Sequence, residues 1–204
     1  MTDYRTPYDT YYEEALGLLK GGGSADEVLQ YINAIDDEDY RDGTLGKMAR
    51  FFAAQGQVEE AQRFCSALHN PLEHADALFE VGRELRKRNS LNLAKGVFKQ
   101  TVEAAGRLEP SAWETPAIFL QVSDEMWNLD EKQAALELLR RAIGLAKQPP
   151  QPFEASKTLA GCARVLARWG NASEAIEVAE AIESPGQRKT VLGELQKPSA
   201  GGGG

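Results

Sequence analysis

The residues able to do covalent or metal chemistry are few in this chain, and their spacing decides what they can do. There are two histidines and two cysteines among 204 residues. His69 lies in an inter-helix turn, His74 has no Cys, His, Asp or Glu three or four residues away, and neither CxxC nor HExxH occurs. Gly46-Lys47 lacks the upstream glycine and the following Ser or Thr of a phosphate-binding loop. The acidic run Asp36–Asp39 lacks the alternation and the glycine of a calcium loop, and reads as a charged turn whose last acids favour the start of the next helix. The run Gly21-Gly22-Gly23-Ser24 follows a helical pattern rather than a strand, so it is not a dinucleotide fingerprint. No catalytic residue, metal ligand or cofactor is assigned, and the expectation is a protein that is not an enzyme.

The charged residues are more informative. The formal net charge is -8, and residues 1–40 carry all of it, with ten acids against two bases. The remaining residues hold 21 of each sign, and residues 83–107 are locally basic. Phosphate binding needs an excess of cations over the contacting face, so this balance argues against a nucleic-acid partner. Two patches of opposite sign can instead orient a protein partner. They can also bring the acidic N-terminal end of one copy against the basic middle of another in a homo-oligomer.

What positions these charges is a repeat. Residues 8, 41, 74, 115, 155 and 188 start equivalent stretches, at intervals of 33, 33, 41, 40 and 33. Within each, Tyr12, Leu45, Leu78, Phe119 and Leu159 begin a stripe at i, i+3, i+4, i+7 spacing, the apolar face of a helix. The stripe includes a mostly small column (Ala49, Gly82, Ser123, Ala163) and a bulky one after it (Phe52, Leu85, Met126, Leu166). A turn residue follows at Gly23, Gly56, Asn89, Asp130 and Gly170. A second helix then presents Val28, Ala61, Ala94, Ala135 and Ala175. Ser24 with Glu27, Ser111 with Glu114, and Asn171 with Glu174 fit capping boxes, and Pro71 and Pro185 should each open a first helix. Cys65 and Cys162 fall in stripe columns and read as buried thiols.

The expected fold is therefore all-α. It is a right-handed α-solenoid of about five antiparallel helix pairs with a closing helix from about 185, in one domain spanning 1–197. Residues 198–204 read as a flexible Gly-rich tail. The two long units should gain their length in and after the second helix. No apolar run is long enough to cross a bilayer, so no membrane partner is expected, and two scattered thiols suit a reducing, cytoplasmic setting.

The small column, the bulky column, the turn residue and the alanine of the second helix resemble the tetratricopeptide repeat family over roughly residues 8–197. The chain departs from the family in its uneven intervals and in lacking a Trp early in the first helices. The resemblance implies a protein-binding module or adaptor whose first helices line a concave face. One column of that face reads Gly17, Arg50, Arg83, Asp124 and Arg164. Its neighbours add Arg86, Lys87, Trp127, Asn128 and Arg168. Arg50, Arg83, Arg86, Lys87, Arg164 and Arg168, with Trp127 and Asn128 between them, are the candidate binding residues for an acidic peptide or partner domain. The family's clamp for a terminal carboxylate uses asparagines that are mostly missing here, so that specificity is not carried over. A self-associating scaffold is the competing reading.

Overall fold

The computed structural model describes residues 7–108, 113–148 and 153–196, with the backbone alone described at Pro7 and Tyr8. Eleven helices lie among the described residues: α1 (Pro7–Lys20), α2 (Ala25–Asn33), α3 (Glu38–Gln55), α4 (Val58–Ser66), α5 (Pro71–Lys87), α6 (Leu91–Ala105), α7 (Glu114–Asn128), α8 (Lys132–Ala146), α9 (Phe153–Arg168), α10 (Ala172–Glu180) and α11 (Pro185–Leu195). They run as sequential antiparallel pairs, with α11 closing the series. The contacts group into two compact units, 1–108 with α1–α6 and 109–204 with α7–α11. The Gly-rich tail and Ser111 of one expected capping box lie outside the described residues.

The turns show how the sequence makes the pairs. Gly56, Asn89, Asp130 and Gly170 all sit at positive φ, between 60° and 85°. In each case the next amide donates to the carbonyl of the bulky column: Gln57 to Phe52, Ser90 to Leu85, Glu131 to Met126 and Asn171 to Leu166, at 2.9–3.0 Å. This six-to-one bond satisfies a carbonyl that the helix end would leave bare. In the first pair the left-handed residue is Gly22, at φ 91°, and Gly23 donates to Leu18 at 2.9 Å. The expected register is therefore one residue off in α1. Ala15, fully buried, takes the small column, and Leu18 takes the bulky one. The extra residue lets Ser24 become a true N-cap, and the capping box with Glu27 forms. Asn171 does not form its expected box. Its amide is already spent on Leu166, its backbone is not extended, and Glu174 turns to Arg140 instead.

The core follows the columns. Val28, Ala61, Ala94, Ala135 and Ala175 are all fully buried. Small residues here let the helix axes close up, and at Gly82 a Cβ would lie 2.6 Å from the ring of buried Phe98. Unit 1 packs Leu45, Met48, Phe52, Phe64, Leu85 and Phe98, with the Phe52 and Phe64 rings 5.0 Å apart. Unit 2 packs Phe119, Val122, Leu139, Leu159, Leu166 and Ile182. Cys65 and Cys162 are buried free thiols, and burial pushes both up to about 12. In α11 the buried residue is Val191, with Leu192 half-buried beside it. Six residues of the length gained in each long unit are helical: α6 and α8 have 15 residues where α2, α4 and α10 have nine.

Helix starts are capped from both expected and unexpected places. Asp37 caps α3 by accepting from the Tyr40 amide at 3.0 Å, with Glu38 and Asp39 in the first turn. Asn70 caps α5, and Pro71 follows it as the first helical residue. Asp42 of α3, 1% exposed, reaches across to this cap. Its Oδ2 accepts from the amides of His69 at 3.1 Å and Asn70 at 2.8 Å. One buried carboxylate thus fixes where the next first helix begins.

Candidate functional site

The candidate residues lie on the first helix of each pair, and the two units are taken separately. In unit 1, two open clefts, one among α1, α3 and α5 and one between α3 and α5, share Lys47 and Arg50 of α3. One, of ≈ 420 Å³, is lined by Asp9, Tyr12, Lys47, Arg50, Phe51, Ala54 and Glu84. The other, of ≈ 190 Å³, is lined by Lys47 and Arg50 with Gly43, Gly46, Glu73, Asp76, Ala77 and Glu80. Lys47 and Arg50 are three residues apart, so helical geometry places both on one face. Lys47 pairs with Asp9 at 2.9 Å, and its Nζ lies 5.7 Å from the Tyr12 ring centroid. Arg50 is exposed and forms no ion pair among the described residues. Burial raises the Tyr12 hydroxyl above its ordinary range and the Arg50 charge opposes that shift, so Tyr12 offers a neutral wall beside the guanidinium.

The other unit 1 candidates sit further along α5. Arg83 Nη1 donates to Glu80 at 2.9 Å, and its guanidinium carbon lies 5.7 Å from the Phe79 ring centroid. Lys87 Nζ donates to Glu84 at 2.7 Å, and Arg86 is half-buried. Glu84 and Glu80, the partners of Lys87 and Arg83, themselves line the Arg50 clefts. This face therefore carries both signs, where the sequence alone gathered the cations.

In unit 2 the candidates are mostly engaged. Arg164 of α9 forks onto Glu194 of α11, Nε to Oε2 at 2.7 Å and Nη2 to Oε1 at 3.3 Å, and so ties the closing helix to its neighbour. Arg168 pairs with Asp124 of α7. Trp127 stacks on Trp169, centroids 4.2 Å apart and planes 5° from parallel, with Lys132 over the Trp127 ring at 5.8 Å. Asn128 is exposed as the last residue of α7.

Several site features were not singled out from sequence. Lys47 and Phe51 flank Arg50 on α3, and the i, i+3 relation of Lys47 to Arg50 was a usable signal. Asp124 and Arg164 already share a column, so a carboxylate beside Arg168, four residues on, was also legible. Trp169 and Asp42 gave no comparable signal. Their roles depend on which turn meets which helix. His74 is half-buried. Burial, and next the nearby Arg107 charge, lower its affinity for a proton. No group of three or more His, Cys, Asp or Glu among the described residues could hold a metal ion, and no helix of these residues is long and apolar enough to cross a membrane.

Solved structures of similar architecture now have a geometry to be set against. One is a Podosopora anserina kinesin-light-chain-type protein with nearly identical TPR-like repeats: TM-score 0.52, 17% identity, 93% of this chain and 96% of that chain. Another is BtubC (BKLC) from P. vanneervenii: TM-score 0.52, 14% identity, 95% of this chain and 78% of that chain. The fold is tetratricopeptide-like. At such identities the likeness speaks for the TPR-like architecture alone. No family model and no curated protein matches the chain.

Proposed function

We propose that this TPR-like protein is a non-catalytic interaction module. It takes an acidic segment of a partner protein on the first-helix face of unit 1, with Arg50 as the anchoring cation. TPR-like repeat folds typically serve protein–protein interaction. The observation that carries the finer reading is Arg50 itself, an exposed guanidinium with no ion pair among the described residues, where two clefts meet. A partner carboxylate binds there without first displacing an internal one. Phe51, Tyr12 and Ala54 supply an apolar wall for the residues beside that carboxylate.

Arg83 and Lys87 are secondary contributors. Exposed pairs such as theirs are worth only ~0.2–1 kcal/mol, so a partner carboxylate can compete for them. Glu73, Asp76 and Glu80 on the second cleft favour a basic residue flanking the acidic anchor. Arg164 and Arg168 would bind only by giving up Glu194 and Asp124.

The test is fluorescence anisotropy with pools of acidic, neutral and basic decapeptides. Wild type should bind the acidic pool saturably and more weakly as salt rises. Arg50→Glu should lose at least about tenfold in affinity, roughly 1.4 kcal/mol. Arg140→Ala, on α8, should lose nothing. Equal binding of the three pools, or an unchanged affinity in Arg50→Glu, rejects the reading.

A further inference from the structure

The described residues of unit 1 expose three large aliphatic side chains, and they stand in surroundings of opposite charge. Leu18 is 40% exposed, although its column-mates Phe52, Leu85, Met126 and Leu166 are all buried. It lies in an open cleft of ≈ 970 Å³ between α1 and α2, lined also by Glu14, Gly17, Gly21, Glu27 and Tyr31. A Cβ on Gly17 would meet nothing within 4 Å, so the cleft floor is bare backbone and admits a bulky side chain. Glu14 accepts from the Tyr31 hydroxyl, and Glu27 closes the Ser24 capping box. Both donors are neutral, so neither bond sets a cation against the rim carboxylates. Residues 7–40 hold nine acids and one base.

Leu91 and Leu93, 41% and 50% exposed, lie in the first turn of α6, two residues apart and so on different sides of the helix. They sit inside residues 86–99, which hold five bases and no acid. The chain therefore carries an apolar cleft with an acidic rim and, at the start of α6, exposed leucines in basic surroundings.

We propose that the occupant of the α1–α2 cleft is the start of α6 of a second copy of this chain, with Leu93, the more exposed of the two, seated over Leu18 and Gly17. The two faces differ, so the contact is heterologous. In a pair, one copy keeps its α6 face unused and the other its cleft, and further copies can add head to tail. The charges make association faster and salt-sensitive. This contact uses neither Arg50 nor the clefts beside it, so it stands or falls apart from the interaction module proposed above.

Sedimentation or light scattering of the full chain tests it across protein concentration, at about 50 and about 500 mM salt, where the screening length shrinks severalfold. At low salt the mass should rise with concentration, and at high salt it should return toward the 22.3 kDa chain. Leu18→Asp and Leu93→Asp should each weaken self-association at least tenfold. Mixed one to one, the two variants should form a complex of two chains and nothing larger, because each keeps the face the other has lost. Gly17→Glu, whose added side chain meets open space, is a second cleft variant should Leu18→Asp unfold. A monomer at every concentration and salt, association that survives either leucine change, or a mixture that stays monomeric would each overturn the proposal.

Discussion

Three glycine-to-alanine substitutions in first helices should give three different results, and the difference is set by what the new methyl meets. In a helix interior, Ala is favoured over Gly by ~1 kcal/mol, partly through the unfolded chain. At Gly17 a Cβ meets nothing within 4 Å, so Gly17→Ala should realise most of that ~1 kcal/mol. At Gly161 the new atom lies 2.6 Å from Leu120 Cδ2, while Leu120 Cγ is 3.9 Å away. Only a methyl at the far end of a half-buried side chain must move. An off-rotamer Leu costs ~0.5–1.5 kcal/mol, so Gly161→Ala should be close to neutral. At Gly82 the Cβ lies 2.6, 2.8 and 3.1 Å from three atoms of the Phe98 ring, which is rigid and fully buried between α5 and α6. Overpacking of that kind costs ~1–3 kcal/mol, which outweighs the helix gain. Gly82→Ala should therefore be less stable than Gly17→Ala by about 1–3 kcal/mol. Urea unfolding followed by circular dichroism reads this as a midpoint difference of about 1 M at ordinary m-values. Equal midpoints for the two variants, or a Gly82→Ala protein more stable than wild type, would refute the packing argument and the helix pairing behind it.

Three further outcomes follow from buried groups. Asp42→Ala leaves the His69 and Asn70 amides without their acceptor and should cost about 2–3 kcal/mol in a denaturant titration, whereas Glu59→Ala on the exposed surface should change little. Cys65 and Cys162 should resist a thiol reagent near neutral pH in the native protein and react promptly in denaturant, since both are buried and their thiols are pushed up to about 12. His74 has a folded-state pKa below its ordinary 6.5 because of burial and then Arg107, so the unfolded chain takes up the proton first as pH falls through 6.5. Stability should decline below pH 6.5 until the folded-state value is reached, and thermal melts of His74→Asn should lack that part of the decline.

The repeat could be read from sequence because its signals are local. Asn89 and Asp130 were identifiable as left-handed residues because they end an apolar stripe, and Pro71 and Pro185 open helices wherever they stand. The alanine column was legible for the same reason: a period of helical spacing says which side chains must be small. The α1 register was not legible. Gly21, Gly22 and Gly23 all tolerate positive φ, and only the bond from Gly23 to Leu18 shows that Gly22 is the turn. The unformed cap at Asn171 and the buried Asp42 depend on which turn faces which helix. At the candidate site the sequence placed the arginines on first helices. The shared column of Asp124 and Arg164 pointed to a carboxylate beside Arg168, but nothing local showed that Glu194, 30 residues away, holds Arg164. That pairing singles out Arg50, and its clefts exist only once α1, α3 and α5 are side by side.

The most direct test of the central claim is a charge exchange at Arg50, measured as peptide affinity in a two-by-two comparison. Wild type and Arg50→Glu are each titrated with the acidic and the basic decapeptide pools. The account predicts a crossing: wild type prefers the acidic pool, and Arg50→Glu, which adds a carboxylate to clefts already lined by Glu73, Asp76, Glu80 and Glu84, prefers the basic one. If both proteins rank the pools in the same order with the same affinities, Arg50 does not anchor the partner and the proposed function is wrong.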